Sequence, residues 1–169
     1  DRFPSIPDRF IDKEISRAIN PDERNRMMQD FDLSQFKVFD AGKYSVIYFD
    51  DDLVESGFLS DTDTYRRELS QIFQVLTRYF PENEIARKYH PAGNADKTMI
   101  KVGDIIEDFI PAQFLYSEHT SVYLSTQCFS ITNVEGGGSA ISLIDLISFT
   151  SEEIREQRKQ FLIKSSRTE

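Results

Sequence analysis

Apolar runs and polar breaks alternate along the chain after residue 43, and this pattern predicts alternating strands and helices. Residues 44–49 are β-branched, aromatic and nearly all apolar, which is typical of a strand buried on both faces of a parallel sheet. An acidic segment, residues 50–52, follows this strand. A helix is then predicted from Asp61 or Thr62 to about Tyr79. Its apolar residues recur at the helical period: Tyr65, Leu69, Ile72, Phe73 and Leu76.

The rest of the chain repeats this pattern. Strands are predicted at residues 84–87, 99–102, 121–124 and 129–133, and helices at 110–116, 139–147 and 152–164. The three glycines at 136–138 predict a mobile loop or linker. Strands that alternate with helices predict an α/β fold, a Rossmann-like parallel sheet flanked by helices. We assign it to residues 37–169, and we interpret residues 1–36 as a helical lead-in or linker.

Composition narrows the classes of function. The 169 residues suffice for one domain with a substantial core. A net charge of −9 argues against broad nucleic-acid binding, which needs a basic face. One cysteine cannot form an internal disulfide, and no Cys/His spacing indicates zinc. No apolar run is long enough to span a membrane. The charged, proline-rich first residues are not a signal peptide, and they suggest the middle of a longer protein.

Polar groups follow three of the predicted strands. They are the acids at 50–52, the tetrapeptide Lys88-Tyr89-His90-Pro91 and the pair Ser125-Thr126. Because ligands of parallel sheets bind beyond the carboxyl ends of the strands, these groups predict a site at one edge. A histidine can donate a hydrogen bond or a proton near neutral pH, and hydroxyls add neutral donors. The edge therefore suits a phosphate, whereas the other histidine, His119, reads as part of an exposed loop.

From about residue 44 to residue 147 the sequence resembles the carboxyl-terminal, nucleotide-binding half of bacterial sialyltransferases of the GT-B type. That family includes enzymes that sialylate lipooligosaccharide and the capsule polysialyltransferases. The resemblance rests on three parts: the strand, loop and helix over residues 44–79; the basic-X-His-Pro element at 88–91; and Ile-Pro-Ala-Gln-Phe-Leu at 110–115, followed by the hydroxyl pair at 125–126.

The resemblance implies a role for individual residues. His90, with Lys88 and Pro91 beside it, and the Ser125-Thr126 pair would hold the phosphate of CMP-sialic acid, and His90 would be the catalytic residue. Gln113 stands where the family has an acid that contacts the ribose, so an amide would replace the carboxylate there. Thr126 replaces the commoner second serine but keeps its hydroxyl. The general base of the family lies in its amino-terminal half, and the resemblance therefore implies that the base is not among these residues.

A cofactor and a metal are not required by this chemistry, since preorganised donors can stabilise the charge that develops on the departing phosphate. The expected partners are the CMP-sugar donor and a glycan acceptor, with no nucleic acid. The resemblance further implies a cytoplasmic location, with the full-length enzyme peripheral at the inner membrane. A homodimer is compatible with the sequence.

The acidic segment leaves alternatives open. Residues 46–54 also fit a hydrophobic strand followed by Asp-X-Asp-X-Val, the first motif of haloacid-dehalogenase-type phosphatases. Asp50 would then be a nucleophile and Asp52 a general acid beside Mg²⁺. The acids also fit the magnesium pocket of a receiver domain, and a non-catalytic binding or oligomerisation module is a further alternative. For Asp51 the sequence favours a solvated loop.

Overall fold

The computed structural model describes residues 41–51, 53–54, 56–59, 61–90, 100–107, 110, 112–115, 119–126 and 138–166. The chain divides into two units, Asp1–Phe39 and Asp40–Glu169. The predicted helical lead-in, residues 1–36, lies outside the described residues, as does the strand predicted at 129–133. The second unit contains all of the elements described below.

A parallel sheet of five strands forms the centre of this unit. The strands are β1 (Val46–Phe49), β2 (Ile85–Lys88), β3 (Asp104–Ile106), β4 (Val122–Ser125) and β5 (Ser139–Ser142). Their spatial order is β3-β2-β1-β4-β5. All four residues of the central strand β1 are buried, whereas all four residues of the edge strand β5 are exposed. The predicted α/β fold with a Rossmann-like parallel sheet is confirmed.

Helix α1 (Thr62–Leu76) covers one face of the sheet, close to its predicted position. It begins where the Asp61 carboxylate accepts hydrogen bonds from the backbone N–H groups of Asp63 (3.0 Å) and Thr64 (3.1 Å), which would otherwise lack partners in the first turn. Its buried residues, Tyr65, Leu69 and Phe73, recur every four positions and so lie on one side of the helix.

The core extends over both faces of the sheet. On the face of α1, the ring of Phe73 meets the ring of Tyr48 edge to face, with centroids 5.5 Å apart. Because successive side chains of a strand point to opposite faces, Ile47 and Phe49 point away from α1. There the ring of Phe49 packs against Tyr123 of β4, with centroids 6.4 Å apart. Burial on both faces explains why β1 is apolar throughout rather than alternating.

Two predicted elements are wrong. The strand expected at residues 99–102 begins instead at Asp104, because Gly103 has a left-handed backbone (φ +78°) and turns the chain before it pairs with β2. The helix expected at residues 139–147 is instead the strand β5 followed by a turn. Pairing with β4 overrides the local preference of that apolar segment.

The last residue of the glycine run 136–138 is not part of the mobile loop or linker predicted for the run. A Cβ on Gly138 would lie 2.5 Å from the backbone oxygen of Thr120 and 2.6 Å from the ring of Tyr123. Glycine is therefore required at position 138, because the chain enters β5 in close contact with the segment that leads into β4. Residues 136 and 137 lie outside the described part of the chain.

Helix α2 (Glu152–Ser166) follows β5 and agrees with the prediction for residues 152–164. Its first turn is capped by Ser151, whose hydroxyl accepts a hydrogen bond from the Ile154 N–H at 3.2 Å. The short helix predicted at residues 110–116 is a single 3₁₀ turn, Ala112–Leu115. Among the residues that the structure describes, no helix is both long and apolar enough to cross a membrane.

Candidate functional site

The ends of β1 and β4 lie side by side at the carboxyl edge, because Phe49 is paired with Ser125 in their register. After β1 the chain continues to β2 and β3 on one side, and it then crosses to β4 on the other side. The boundary between β1 and β4 is therefore the point where the strand order reverses. In open parallel sheets, ligands bind in the crevice at such a point.

Asp51 connects these two strand ends. Its Oδ2 accepts a hydrogen bond from the Ser125 hydroxyl at 2.8 Å and another from the Thr126 backbone N–H at 2.9 Å. The side chain is half-buried, so the expectation of a solvated loop at Asp51 is wrong. The reason is the register: an acid two residues beyond Phe49 meets the donors that follow the neighbouring strand. Strand order, which the sequence does not state, was the missing information.

Thr126 is fully buried at this edge. Its backbone oxygen accepts a hydrogen bond from the Ser142 hydroxyl at 3.2 Å, so β5 also contributes to the edge. Its side-chain Oγ1 has no hydrogen-bond partner among the residues that the structure describes. A buried hydroxyl without a partner costs free energy, and such an atom at a ligand crevice is a candidate ligand contact.

Asp50 is held by two tyrosines, which sequence reasoning missed. Asp50 Oδ1 accepts hydrogen bonds from the Tyr48 hydroxyl (2.8 Å) and the Tyr65 hydroxyl (3.1 Å), and the two hydroxyl oxygens lie 2.9 Å apart. The residue Asp50 is buried, at 8% exposure. A signal was present, since Tyr48 and Asp50 are two residues apart on a strand and Tyr65 lies on the buried face of α1.

The two tyrosines remain hydrogen-bond donors at neutral pH. Burial is the largest cause that raises the pKa of Tyr48 well above its usual value, and Tyr65 and Asp50 raise it further. Burial likewise raises the pKa of Tyr65 well above its usual value, with the charge of Asp50 as the second cause. Protonated hydroxyls fix the orientation of the Asp50 carboxylate, which is a positioning role for Tyr48 and Tyr65.

The end of β2 lies on the other side of β1, since Phe49 also pairs with Lys88. The Asp50 N–H donates to the Lys88 backbone oxygen at 2.8 Å. Lys88 is buried, at 4% exposure, and its ammonium donates to the Tyr89 backbone oxygen at 3.1 Å. His90, by contrast, is exposed at the edge. His90 is therefore accessible to a ligand. The predicted contact of Lys88 with a nucleotide stays a prediction.

Arg87 supports this strand end from within the core, where it is 3% exposed. One guanidinium nitrogen donates to the Tyr89 hydroxyl (2.8 Å) and to the Ile100 backbone oxygen, and the other donates to the Gly103 backbone oxygen (3.3 Å). These bonds fix the segment before His90 against the segment that leads into β3. The basic residue at position 87 is therefore structural.

For the other predicted residues the structure gives a position without a site contact, or they lie outside the described residues. Gln113 lies within the 3₁₀ turn Ala112–Leu115, and its ribose contact stays a prediction. Pro91 and Asp52 lie outside the described residues. His119 is exposed, as its interpretation as a surface loop requires. The described residues thus bring together Asp50, Asp51, Ser125 and Thr126, with His90 at the neighbouring strand end.

Within the described part of the chain, no group of three or more His, Cys, Asp or Glu residues is arranged to hold a metal ion. A cavity of about 290 Å³ lies between residues 145–149 and the first turn of α2. None of the predicted site residues lines it, so we place the candidate site in the crevice between β1 and β4 rather than there.

Comparison with known proteins leaves the family open. No family model matches this sequence, and the searches of curated proteins and of solved structures return no match either. The similarity to bacterial sialyltransferases therefore rests on the motifs quoted above, and the function has to be argued from the carboxyl edge itself.

Proposed function

We propose that residues 40–169 bind the nucleotide of a CMP-sugar and form the donor-binding half of an inverting, sialyltransferase-like glycosyltransferase. One observation carries the proposal: the strand ends bearing His90 and Ser125-Thr126 flank the end of β1 in a parallel sheet. A phosphate at this edge has a histidine on one side and two hydroxyls with a backbone N–H on the other. The two motifs thus lie at the two strand ends next to that of β1, and on this proposal both supply donors to one phosphate.

The chemistry of the donors suits the departure of CMP. When the bond to the sugar breaks, negative charge builds on the phosphate oxygens, and preorganised donors stabilise it. The Ser125 hydroxyl and the Thr126 N–H are fixed, since both already bind Asp51, and the Thr126 hydroxyl is buried at the same place. His90 would donate a hydrogen bond or a proton to the leaving phosphate.

The Asp51 carboxylate opposes the binding of a phosphate at the end of β4. A phosphate oxygen that takes the Ser125 and Thr126 donors competes with the Asp51 carboxylate, which already accepts from both. The two anions also repel each other. Nucleotide binding is therefore an exchange of one anion for another at the end of β4.

The wider activity belongs to the whole enzyme. We propose that the acceptor is a surface glycan and that the general base which activates it comes from another domain, as in the family that the sequence resembles. On this proposal the isolated chain binds CMP and transfers little or no sugar. A cytoplasmic enzyme that is peripheral at the inner membrane fits this activity.

Thermal unfolding of the chain with and without CMP tests the proposal. At a CMP concentration 100 times Kd, binding stabilises by about 2.7 kcal/mol, which for a chain of this size raises Tm by about 5–10 °C. We expect His90→Ala to remove most of this shift. His119→Ala is the matched control, because it removes the other exposed histidine and should leave the shift intact. No shift of the wild-type chain at millimolar CMP would contradict the proposal.

The Mg²⁺-dependent phosphatase built on Asp50 and Asp52 remains the alternative. A nucleophile needs an exposed carboxylate oxygen, whereas Asp50 is nearly buried and bound by the Tyr48 and Tyr65 hydroxyls. Hydrolysis of a generic phosphate ester with Mg²⁺, lost in Asp50→Asn, would favour the phosphatase over the CMP-sugar site. A chain that binds neither CMP nor a phosphate ester would favour the non-catalytic module.

A further inference from the structure

Arg158 of α2 lies over the loop that follows β1. Its guanidinium carbon is 3.7 Å from the centroid of the Phe58 ring, a stacked arrangement that suits a planar cation. Phe58 is fixed in turn, because its N–H donates to the Leu53 backbone oxygen at 3.0 Å and its backbone oxygen accepts from the Thr150 N–H at 2.8 Å. Helix α2 therefore presents Arg158 to the same loop that carries Asp51.

Among the residues that the structure describes, Asp51 is the acid whose charge acts on Arg158, and it does so without a direct contact. Arg158 forms no ion pair and no hydrogen bond with the described residues, whereas Arg155 pairs with Glu152 and Lys159 pairs with Asp145 on the same helix. The chain has 29 acidic and 20 basic side chains, so acids are in excess. Desolvation of the half-buried guanidinium lowers the pKa of Arg158, and the nearby charge of Asp51 raises it.

A stacked guanidinium near the site is prepared for an anion. The ring of Phe58 restricts the side chain, so that less conformational freedom is lost when its N–H donors engage a ligand. Five N–H donors let one guanidinium contact two anions at once. At this position the two anions would be Asp51 and the phosphate that competes with it for the end of β4.

We propose that Arg158 is an anion-binding residue of the crevice between β1 and β4, which pairs with the phosphate of the bound nucleotide. This inference rests on the proposed function for the identity of the nucleotide, although the pairing with a phosphate does not. Arg158 offsets the repulsion between the phosphate and Asp51. It also makes α2, the helix most distant in sequence from β1, part of the site.

Isothermal titration of the full chain with CMP, cytidine and inorganic pyrophosphate tests the proposal. For Arg158→Gln we expect CMP binding to weaken at least about tenfold, as for the loss of a charge-assisted bond, with cytidine binding unchanged. Arg158→Lys should recover part of the loss, because it restores the charge but not the fork of donors. Arg155→Gln on the same helix is the matched control and should change CMP binding less than about twofold.

The outcomes separate this inference from the proposed function. Wild-type binding of CMP with equal binding by Arg158→Gln overturns the role of Arg158 and leaves the proposed function standing. No wild-type binding of CMP, but pyrophosphate binding that Arg158→Gln loses, overturns the CMP-sugar site and supports Arg158 as an anion-binding residue. Binding of neither ligand overturns both. Equal loss of cytidine and CMP binding would mean a structural role for Arg158 and would overturn the proposal.

Discussion

Replacing Asp51 by asparagine should make the chain less stable and its binding of CMP tighter. Both effects come from one oxygen, Asp51 Oδ2, which accepts from the Ser125 hydroxyl at 2.8 Å and from the Thr126 N–H at 2.9 Å. Asparagine keeps an acceptor oxygen of the same size but removes the charge. The variant therefore tests the effect of the Asp51 charge while the size of the side chain stays the same.

The loss of stability follows from the two hydrogen bonds. A bond to a charged group contributes about 1.5–3 kcal/mol and a neutral one about 0.5–1.5 kcal/mol. Two bonds that change from charged to neutral should lower the free energy of unfolding by about 2 kcal/mol. Urea unfolding, followed by circular dichroism, measures this change as a shift of the midpoint at constant m value.

The gain in affinity follows from the repulsion that is removed. Two unit charges 4 Å apart repel by about 1 kcal/mol in water and by about 4 kcal/mol at the effective permittivity near a protein surface. For the half-buried Asp51 we take about 2 kcal/mol, so CMP should bind about 30-fold more tightly in Asp51→Asn. Titration calorimetry with CMP measures this change in affinity.

The control for Asp51→Asn is a variant that loses a negative charge far from the end of β4. Glu82→Gln removes the same charge from an exposed 3₁₀ turn that precedes β2, at the opposite edge of the sheet, and should change neither quantity appreciably. An unchanged free energy of unfolding would mean that the charge of Asp51 adds nothing to its two hydrogen bonds with Ser125 and Thr126. Unchanged or weaker CMP binding in a variant that folds would refute the exchange of anions at the end of β4.

Two further predictions concern the fold around the site. Tyr65→Phe removes a hydroxyl that donates to Asp50 and should lower the free energy of unfolding by about 1–3 kcal/mol, whereas Tyr79→Phe, at 76% exposure, should leave the urea midpoint unchanged. Gly138→Ala places a Cβ 2.5 Å from the Thr120 backbone oxygen and should destabilise the chain by about 1–3 kcal/mol. Ser139→Ala, at an exposed position, is the control. Equal urea midpoints for the two variants would contradict the close approach of the chain at Gly138.

Elements with an uninterrupted local pattern could be predicted from the sequence. Strand β1 is apolar along its whole length, and α1 combines an aspartate cap with apolar residues at the helical period, so local chemistry and tertiary environment agree. Strand β5 could not be predicted, because Ser139–Ser142 is exposed and short and is a strand only through its pairing with β4. Strand β3 was displaced because one glycine decides where pairing begins.

The candidate site was predictable as a set of strand ends but not as a set of contacts. That His90 and Ser125 lie at one edge follows from the parallel sheet alone. That Asp51 binds Ser125 depends on which strands are neighbours, and no local pattern contains this information. The stacking of Arg158 on Phe58 depends on where α2 returns to the loop after β1, and no local pattern in the helix indicates that position.

The strand order also has a consequence for how the chain reaches its native state. Asp51 and Ser125, which meet at the site, are separated by 74 residues. Contacts of such long range require a large loop to close, which slows folding. During synthesis from the amino terminus, β1 can pair with β2 early, but its other edge stays open until β4 has been made. The edge of β1 that stays open until β4 arrives, and is meanwhile prone to wrong pairing, is the one that later forms the candidate site.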